Sequence, residues 1–508
     1  MVSSIPRSPA NSYIQRALSV LDHVSAGAPV QAIYDAPFGT EILELVSYIV
    51  AHNKLGVYVA SDDRQAQTAY DIAEFVAPAL LKLKLPAWDS LPYDRISPTA
   101  AVASRRCSTL SALTHLKENT PTLVITTGAG LMQKSAPRSA MKSASLALKP
   151  GVSIPPDTLD TFLITNGYSR VATVHDRGEY AQRGGIVDIF SPTEAEAVRL
   201  DFFGDELESI RSFDPETQRT TKQLKSVSFS PVSEILFTDQ ALTTFRAKFL
   251  ETLGPPAGNQ MFEAARSRIR KQGLENWLPL FHDELETLFD YIPDDTFIAF
   301  DTNALESCRE KYRQVEDYFE ARLTAAGSAE DGKVLAPGAL YLKPNEIETS
   351  AASHASARFL RGTTDLGDGN LSIGAKPGRD FAPERVQNSN VFDAVITHIR
   401  ALRKKETTVV LGAWSDGSAD RLINVLEDHG MSGIERVYSL DSARSTGLSI
   451  AELPIDAGFE LDDLAVLSEQ DILGERISRP KKRRKATNFI AEAASLAPGD
   501  FVVHVEHG

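Results

Sequence analysis

A chain of 508 residues is too long for one hydrophobic core, and at roughly 100 to 200 residues per domain it divides into about three or four. Its 42% hydrophobic residues support globular folding throughout, while a formal net charge of -15 argues against coating nucleic acid through the overall field and leaves room only for a local basic patch. Cys107 and Cys308 are too few and too distant for a disulfide framework or a cysteine zinc site, no run approaches about 18 apolar residues, and Met1 to Leu18 lacks a signal peptide's apolar centre, so a soluble cytoplasmic protein without a membrane partner is expected.

From Ala10 to about Lys134 helix-like and strand-like segments alternate. Gln31 to Tyr34 is a strand-like run entering a loop, Glu41 to Ala51 repeats apolar residues at helical spacing, and Gly56 to Ala60 (GVYVA) and Thr122 to Thr126 (TLVIT) are buried-strand runs. That pattern predicts an α/β module with a mainly parallel sheet. Such a module raises the question of a phosphate loop, and the nearest candidate is Tyr34 to Glu41, YDAPFGTE. A working loop needs an opening glycine and then Gly-Lys-Ser/Thr, so that ammonium and hydroxyl meet phosphate and magnesium. Here those positions are Tyr34, Gly39, Thr40 and Glu41: the lysine is missing, and a carboxylate stands where the metal-binding hydroxyl belongs. The expected result is a relic loop with no nucleotide, no cofactor and no catalytic residue.

A β-rich module follows. Gly184-Gly185 opens an apolar run (Ile186, Val187, Ile189, Phe190), Ser191-Pro192 closes it, and a second run from Val198 to Phe203 meets a tight turn at Gly204-Asp205. Period two puts Val198, Leu200 and Phe202 on one face and Arg199, Asp201 and Phe203 on the other. A cation, an anion and a large aromatic together suit a protein-binding surface better than a core. The residues alone leave a second reading standing, in which a bulge turns Phe203 into the core and Arg199 pairs with Asp201 or Glu208. The hairpin-tip acids Asp205, Glu206 and Glu208 are expected to be solvated.

After about Val232 the pattern returns to α/β, with amphipathic helices at Ala241 to Leu253 and Glu306 to Leu323. Leu278 to Glu284 (LPLFHDE) is a weak lookalike of a magnesium-binding carboxylate box, because Pro279 interrupts it as a central strand; a surface carboxylate pair beside a helix start is expected instead. From Ala351 to about Asn390 the chain is rich in Gly, Ser and Asp, with Pro377 and Pro383, and reads as a linker or a poorly packed edge. Val391 to about Glu460 then predicts a compact α/β domain of its own: helix 391–403, strand 407–412, helix 419–429, strand 434–439. The tract Arg476 to Lys485, with Lys481, Lys482, Arg483, Arg484 and Lys485, is a solvated linker or a weak contact for nucleic acid or polymerase. His504, Glu506 and His507 alternate across a strand without a third ligand set, so no metal is expected.

Several of these blocks carry a resemblance. Gly178 to Thr220 resembles domain 2 of the excision-repair protein UvrB and, more closely, the UvrB-like module that begins the bacterial transcription-repair coupling factors, the Mfd family. Trp88 to Asp94 (W-x-x-L-P-Y-D), Ser104 to Leu110 (S-x-R-x-x-T-L), Gly273 to Phe300, Asp471 to Arg479 and Pro498 to Gly508 follow in that family's order. The resemblance implies an α/β multidomain fold: a degenerate P-loop-like module formed by 1–134 and 232–350, a UvrA-docking β-rich domain at 135–231, a linker at 351–390 and a separate small α/β domain at 391–465. A linker with the basic tract (466–497) and the first strand of a truncated RNA-polymerase-interacting domain (498–508) complete it. It further implies that Arg183, Arg199 and Phe203 dock UvrA. The whole family protein displaces stalled RNA polymerase on double-stranded DNA with an ATP-driven motor beyond residue 508, and this portion is expected to be a monomer without motor activity. A UvrB-like helicase for damage verification and a non-catalytic scaffold are the alternatives; the missing loop lysine disfavours the first.

Overall fold

Four sheets organise the described residues, and two of them settle where functional side chains can stand. The first takes β1 (Gln31–Tyr34), β2 (Leu55–Ala60), β3 (Leu81–Leu85), β4 (Thr122–Thr127), β13 (Phe297–Phe300), β14 (Ala355–Phe359) and β15 (Leu371–Ser372). All seven are parallel, in the order β15-β1-β14-β13-β2-β4-β3. Every residue of β2, β4 and β13 is buried, as expected of strands covered on both faces. The helices α1 (Thr40–His52) and α2 (Asp63–Val76) pack in a hydrophobic cluster on one side, and α3 (Ala100–Thr114) packs in another with residues 235–351. The Asp62 carboxylate caps α2 by accepting from Gln65 N at 2.8 Å. The structure is a computed structural model and describes residues 19–192, 194, 196–256, 258–326, 334–362, 370–387 and 390–474. Met1 to Leu18, the basic tract with Lys481, Lys482, Arg483, Arg484 and Lys485, and the segment with His504, Glu506 and His507 lie outside the described residues.

The β-rich stretch holds a short antiparallel pair, β5 (Leu146–Leu148) with β12 (Val227–Phe229), and a second sheet. That sheet comprises β6 (Ser169–Arg170), β7 (Glu179–Arg183), β8 (Ile186–Ile189), β9 (Ala197–Phe203), β10 (Glu206–Phe213) and β11 (Thr220–Leu224) in consecutive order. Its inner face buries Val187, Ile189, Val198, Leu200, Leu207 and Ile210. Arg106 of α3 ties this stretch to the first sheet from a fully buried position. Its guanidinium donates to Glu234 Oε1, Pro86 O and Ser135 Oγ, each at 2.8 Å. A buried cation needs this full set of partners, and the S-x-R-x-x-T-L arginine obtains all of them from other segments.

The linker expected at 351–390 is corrected by the topology. β14 lies in the interior of the first sheet, between β1 and β13, and β15 forms its edge beside β1. The Gly- and Asp-rich composition behind that expectation is concentrated at 362–370, whereas Ala355–Phe359 (ASARF) places Ser356, Ala357 and Phe359 in burial as an interior strand. A third sheet contains β16 (Lys376–Pro377), β17 (Thr408–Ala413), β18 (Glu435–Arg436), β19 (Leu448–Glu452), β20 (Phe459–Glu460) and β21 (Leu464–Ser468), ordered β16-β20-β21-β17-β19-β18. The helix Val391–Arg403 stands as expected, and the strand expected at 434–439 shortens to β18. This small α/β unit is not separate in its packing: Leu440, Leu453, Ile455, Phe459 and Val466 share one hydrophobic cluster with Ile42, Val46, Ile72 and Phe75 of α1 and α2. Pro279 lies in the first turn of a short helix, Leu278–Phe281, leaving Asp283 and Glu284 exposed after it.

Candidate functional site

The outer face of the second sheet carries the side chains that period two assigned to it. Val198 and Leu200 are buried on the inner face, and Phe203, on the opposite parity, is 78% exposed. The register places Asp188 of β8 opposite Arg199, Ile186 opposite Asp201, and on the other side Arg211 of β10 opposite Arg199. Arg199 grips Asp188 with both arms of its fork, Nε to Oδ1 at 2.7 Å and Nη2 to Oδ2 at 2.9 Å. Its guanidinium also lies 4.8 Å from the centre of the buried Phe213 ring. The hydrogen bond to Asp188 raises the Arg199 pKa further above its ordinary value, so the cation is permanent. Asp201 pairs with Arg211 and accepts from Ser209 Oγ at 2.6 Å.

Arg199 thus has a partner other than the two that the second reading offered it. Asp201 is two residues away on the same strand, and Glu208 is exposed at the hairpin tip; the directly opposed cross-strand residue wins because the register brings it within reach. The carboxylate-binding fork of Arg199 is therefore occupied within the chain. Arg183, at the end of β7, is exposed and donates to Thr173 Oγ1 at 2.9 Å and to Ala172 O. Phe203 has no such internal role. Ile186, absent from the sequence-derived set, is 40% exposed on the same face. An aspartate inside the apolar run Ile186 to Phe190 was the available signal that this face is polar; the identity of its partner needed the register. Asp205, Glu206 and Glu208 are exposed at the turn, where Gly204 has φ 62°.

At the loop 34–41, Tyr34 ends β1, Gly39 stands at the N-cap of α1 and Thr40 and Glu41 begin the helix, the last three residues all buried. The Glu41 carboxylate folds back onto its own turn: Oε2 accepts from Gly39 N at 2.8 Å, and Oε1 accepts from Tyr58 Oη at 3.2 Å. Thr40 Oγ1 donates to Pro37 O at 2.7 Å rather than facing outward. Burial raises the Glu41 pKa to about 8, with Asp301 adding to the shift and a hydrogen bond to its own backbone and Arg361 opposing it. Arg361 pairs with Asp301 at 3.0 Å, and Phe459 of β20 covers the glycine: a Cβ on Gly39 would stand 2.9 Å from Phe459 Cε1. The Glu41 carboxyl thus accepts the amide hydrogen bond that a phosphate would need. Cys107 and Cys308 are both free and buried, and among the described residues no group of three or more His, Cys, Asp or Glu is placed to hold a metal. Among the same residues no helix is long and apolar enough to cross a membrane.

A family model described as the UvrB interaction domain matches residues 146–235, which contain the whole second sheet. Over longer spans the chain is similar to curated transcription-repair-coupling factors. It is 28% identical over 455 residues to that of Rickettsia bellii (strain RML369-C), covering 89% of this chain and 39% of the relative. For Escherichia coli (strain K12) the figures are 29% over 465 residues, 89% and 39%, and for Haemophilus influenzae 28% over 482 residues, 92% and 41%. The chain is homologous to the bacterial transcription-repair-coupling factors along nearly its whole length, and it spans about two-fifths of theirs.

Proposed function

We propose that this chain is the UvrA-docking portion of a transcription-repair coupling factor, recruiting the damage-recognition protein UvrA through the outer face of its second sheet. The observation that carries the reading is Phe203: a large aromatic 78% exposed on a strand whose charged neighbours are held by internal ion pairs. A rigid, pre-paired surface with a protruding aromatic has the character of an interface hot spot, because little ordering remains to oppose binding. Arg183 flanks it as a second contact, and the Arg199–Asp188 fork holds the strands in register beneath. In the longer relatives the remaining three-fifths supply, on this reading, the ATP-driven displacement of RNA polymerase on double-stranded DNA.

We further propose that this portion neither binds nor hydrolyses ATP. The missing lysine, the Glu41 carboxylate on the Gly39 amide and the Phe459 cover each oppose a triphosphate at the loop. The test for docking is titration of purified UvrA into the full chain, where a saturable one-site isotherm is expected; absence of binding overturns the reading. Titration with magnesium ATP tests the second proposal, with no heat of binding expected and a micromolar site at the loop as the contrary result.

A further inference from the structure

The segment 371–378 does something that a linker does not. It runs as β15 beside β1, with Leu371 opposite Ile33 and Ser372 opposite Tyr34. It then clips the turn that leads into the relic loop. Ile373 N donates to Tyr34 O at 3.0 Å, Ala375 N to Asp35 O at 3.2 Å, and Ser372 Oγ to Asp35 Oδ2 at 2.7 Å. Asp35 itself adopts φ 51°, a strained value for a non-glycine residue that these contacts hold in place. One residue after Ala375 the same segment becomes β16 of the third sheet, pairing Pro377 with Phe459. Gly378 and Gly458 meet backbone to backbone there: Gly378 N donates to Gly458 O at 2.9 Å, and a Cβ on Gly378 would stand 2.6 Å from Gly458 C.

Phe459 is therefore reached from the loop along one continuous strap, and its ring, 2% exposed, lies against Gly39. Arg64 of α2 and Asp456 add an ion pair across the same boundary. We infer that the relic loop works as a seat: the strap 371–378 and Phe459 lock the third sheet onto the first, so that the loop and the small α/β unit open only together. A nucleotide loop that must admit and release ligand has to keep its mouth clear, whereas this one is filled from above by an aromatic and from within by Glu41. The glycine at position 39 then serves ring packing rather than phosphate approach.

Hydrogen exchange on the full chain tests this, comparing the parent with Phe459→Ala and Phe459→Leu over peptides 36–41 and 371–377, with 122–127 in the interior of the first sheet as reference. Phe459→Ala is expected to raise exchange at 36–41 and 371–377 by at least about tenfold, Phe459→Leu by less, with the reference unchanged. If the alanine variant also loosens the reference, the leucine variant is read by the same criterion. Exchange at 36–41 equal to the parent's, in whichever variant keeps its reference intact, overturns the seat.

Discussion

The outer face of the second sheet and the loop at 36–41 dispose of their polar groups in opposite ways. At the loop every polar group turns inward: Glu41 on Gly39, Thr40 on Pro37, Tyr58 on Glu41. On the sheet the ion pairs are also internal, yet they stop short of Phe203 and Ile186, which remain exposed although β9 and β8 could carry polar residues there. Filling a site removes its ligand chemistry; pairing the charges around an exposed aromatic stiffens a surface and leaves that chemistry outside. On the proposed reading, this contrast sets a filled loop against a docking face.

The contrast can be broken first at Arg199. Its side chain is 19% exposed and that of Asp188 is 4% exposed, so Arg199→Ala leaves a carboxylate nearly buried and unpaired. The expected loss of stability is about 3 kcal/mol, read as a lower urea midpoint. The paired change Arg199→Leu with Asp188→Leu should recover most of it, and a single variant as stable as the parent would mean that the fork is dispensable. Any fall in UvrA affinity in Arg199→Ala is thereby expected to follow the lost register rather than a lost partner contact.

Glu41 sharpens the other side. Its folded pKa of about 8 stands above the ordinary value of 4.5, so between those pH values the native state keeps a proton that the unfolded chain has released. The contribution is fully present below about pH 4.5, declines as pH rises towards 8, and changes no further above it. Glu41→Gln removes that decline, and relative to the parent it should be more stable by a few kcal/mol at pH 8.5 while nearly matching it at pH 4.5. A parent-minus-variant difference that is flat with pH would show that Glu41 is ionised in the fold. A smaller effect is expected from Arg183→Ala, whose exposed guanidinium is held by one carbonyl and one hydroxyl: about 1 kcal/mol in UvrA affinity with an unchanged melting temperature.

Much of this was legible in the chain because it rests on local periodicity. GVYVA and TLVIT became β2 and β4, the run from Val198 to Phe203 became β9 with its faces as read, and Val391 to Arg403 is a helix. What escaped depends on register or on distant partners. Asp188 meets Arg199 only once β8 is aligned with β9, and β14 has no apolar run to announce an interior strand. Glu234 lies 128 residues from Arg106, and Phe459 is separated from Gly39 by most of the chain, so neither contact leaves a local trace. The loop's missing lysine was plain in the sequence; that Glu41 would take the loop's own amide required the structure.

The most direct test of the docking face is the affinity of UvrA for the full chain carrying Phe203→Ala, measured by titration beside the parent, with thermal unfolding recorded on the same samples. Removing a side chain that is 78% exposed should leave the melting temperature within about 1 °C and weaken UvrA binding by at least about tenfold. Binding as tight as the parent's, by a variant equally folded, would place the UvrA contact elsewhere and contradict the assignment of this face.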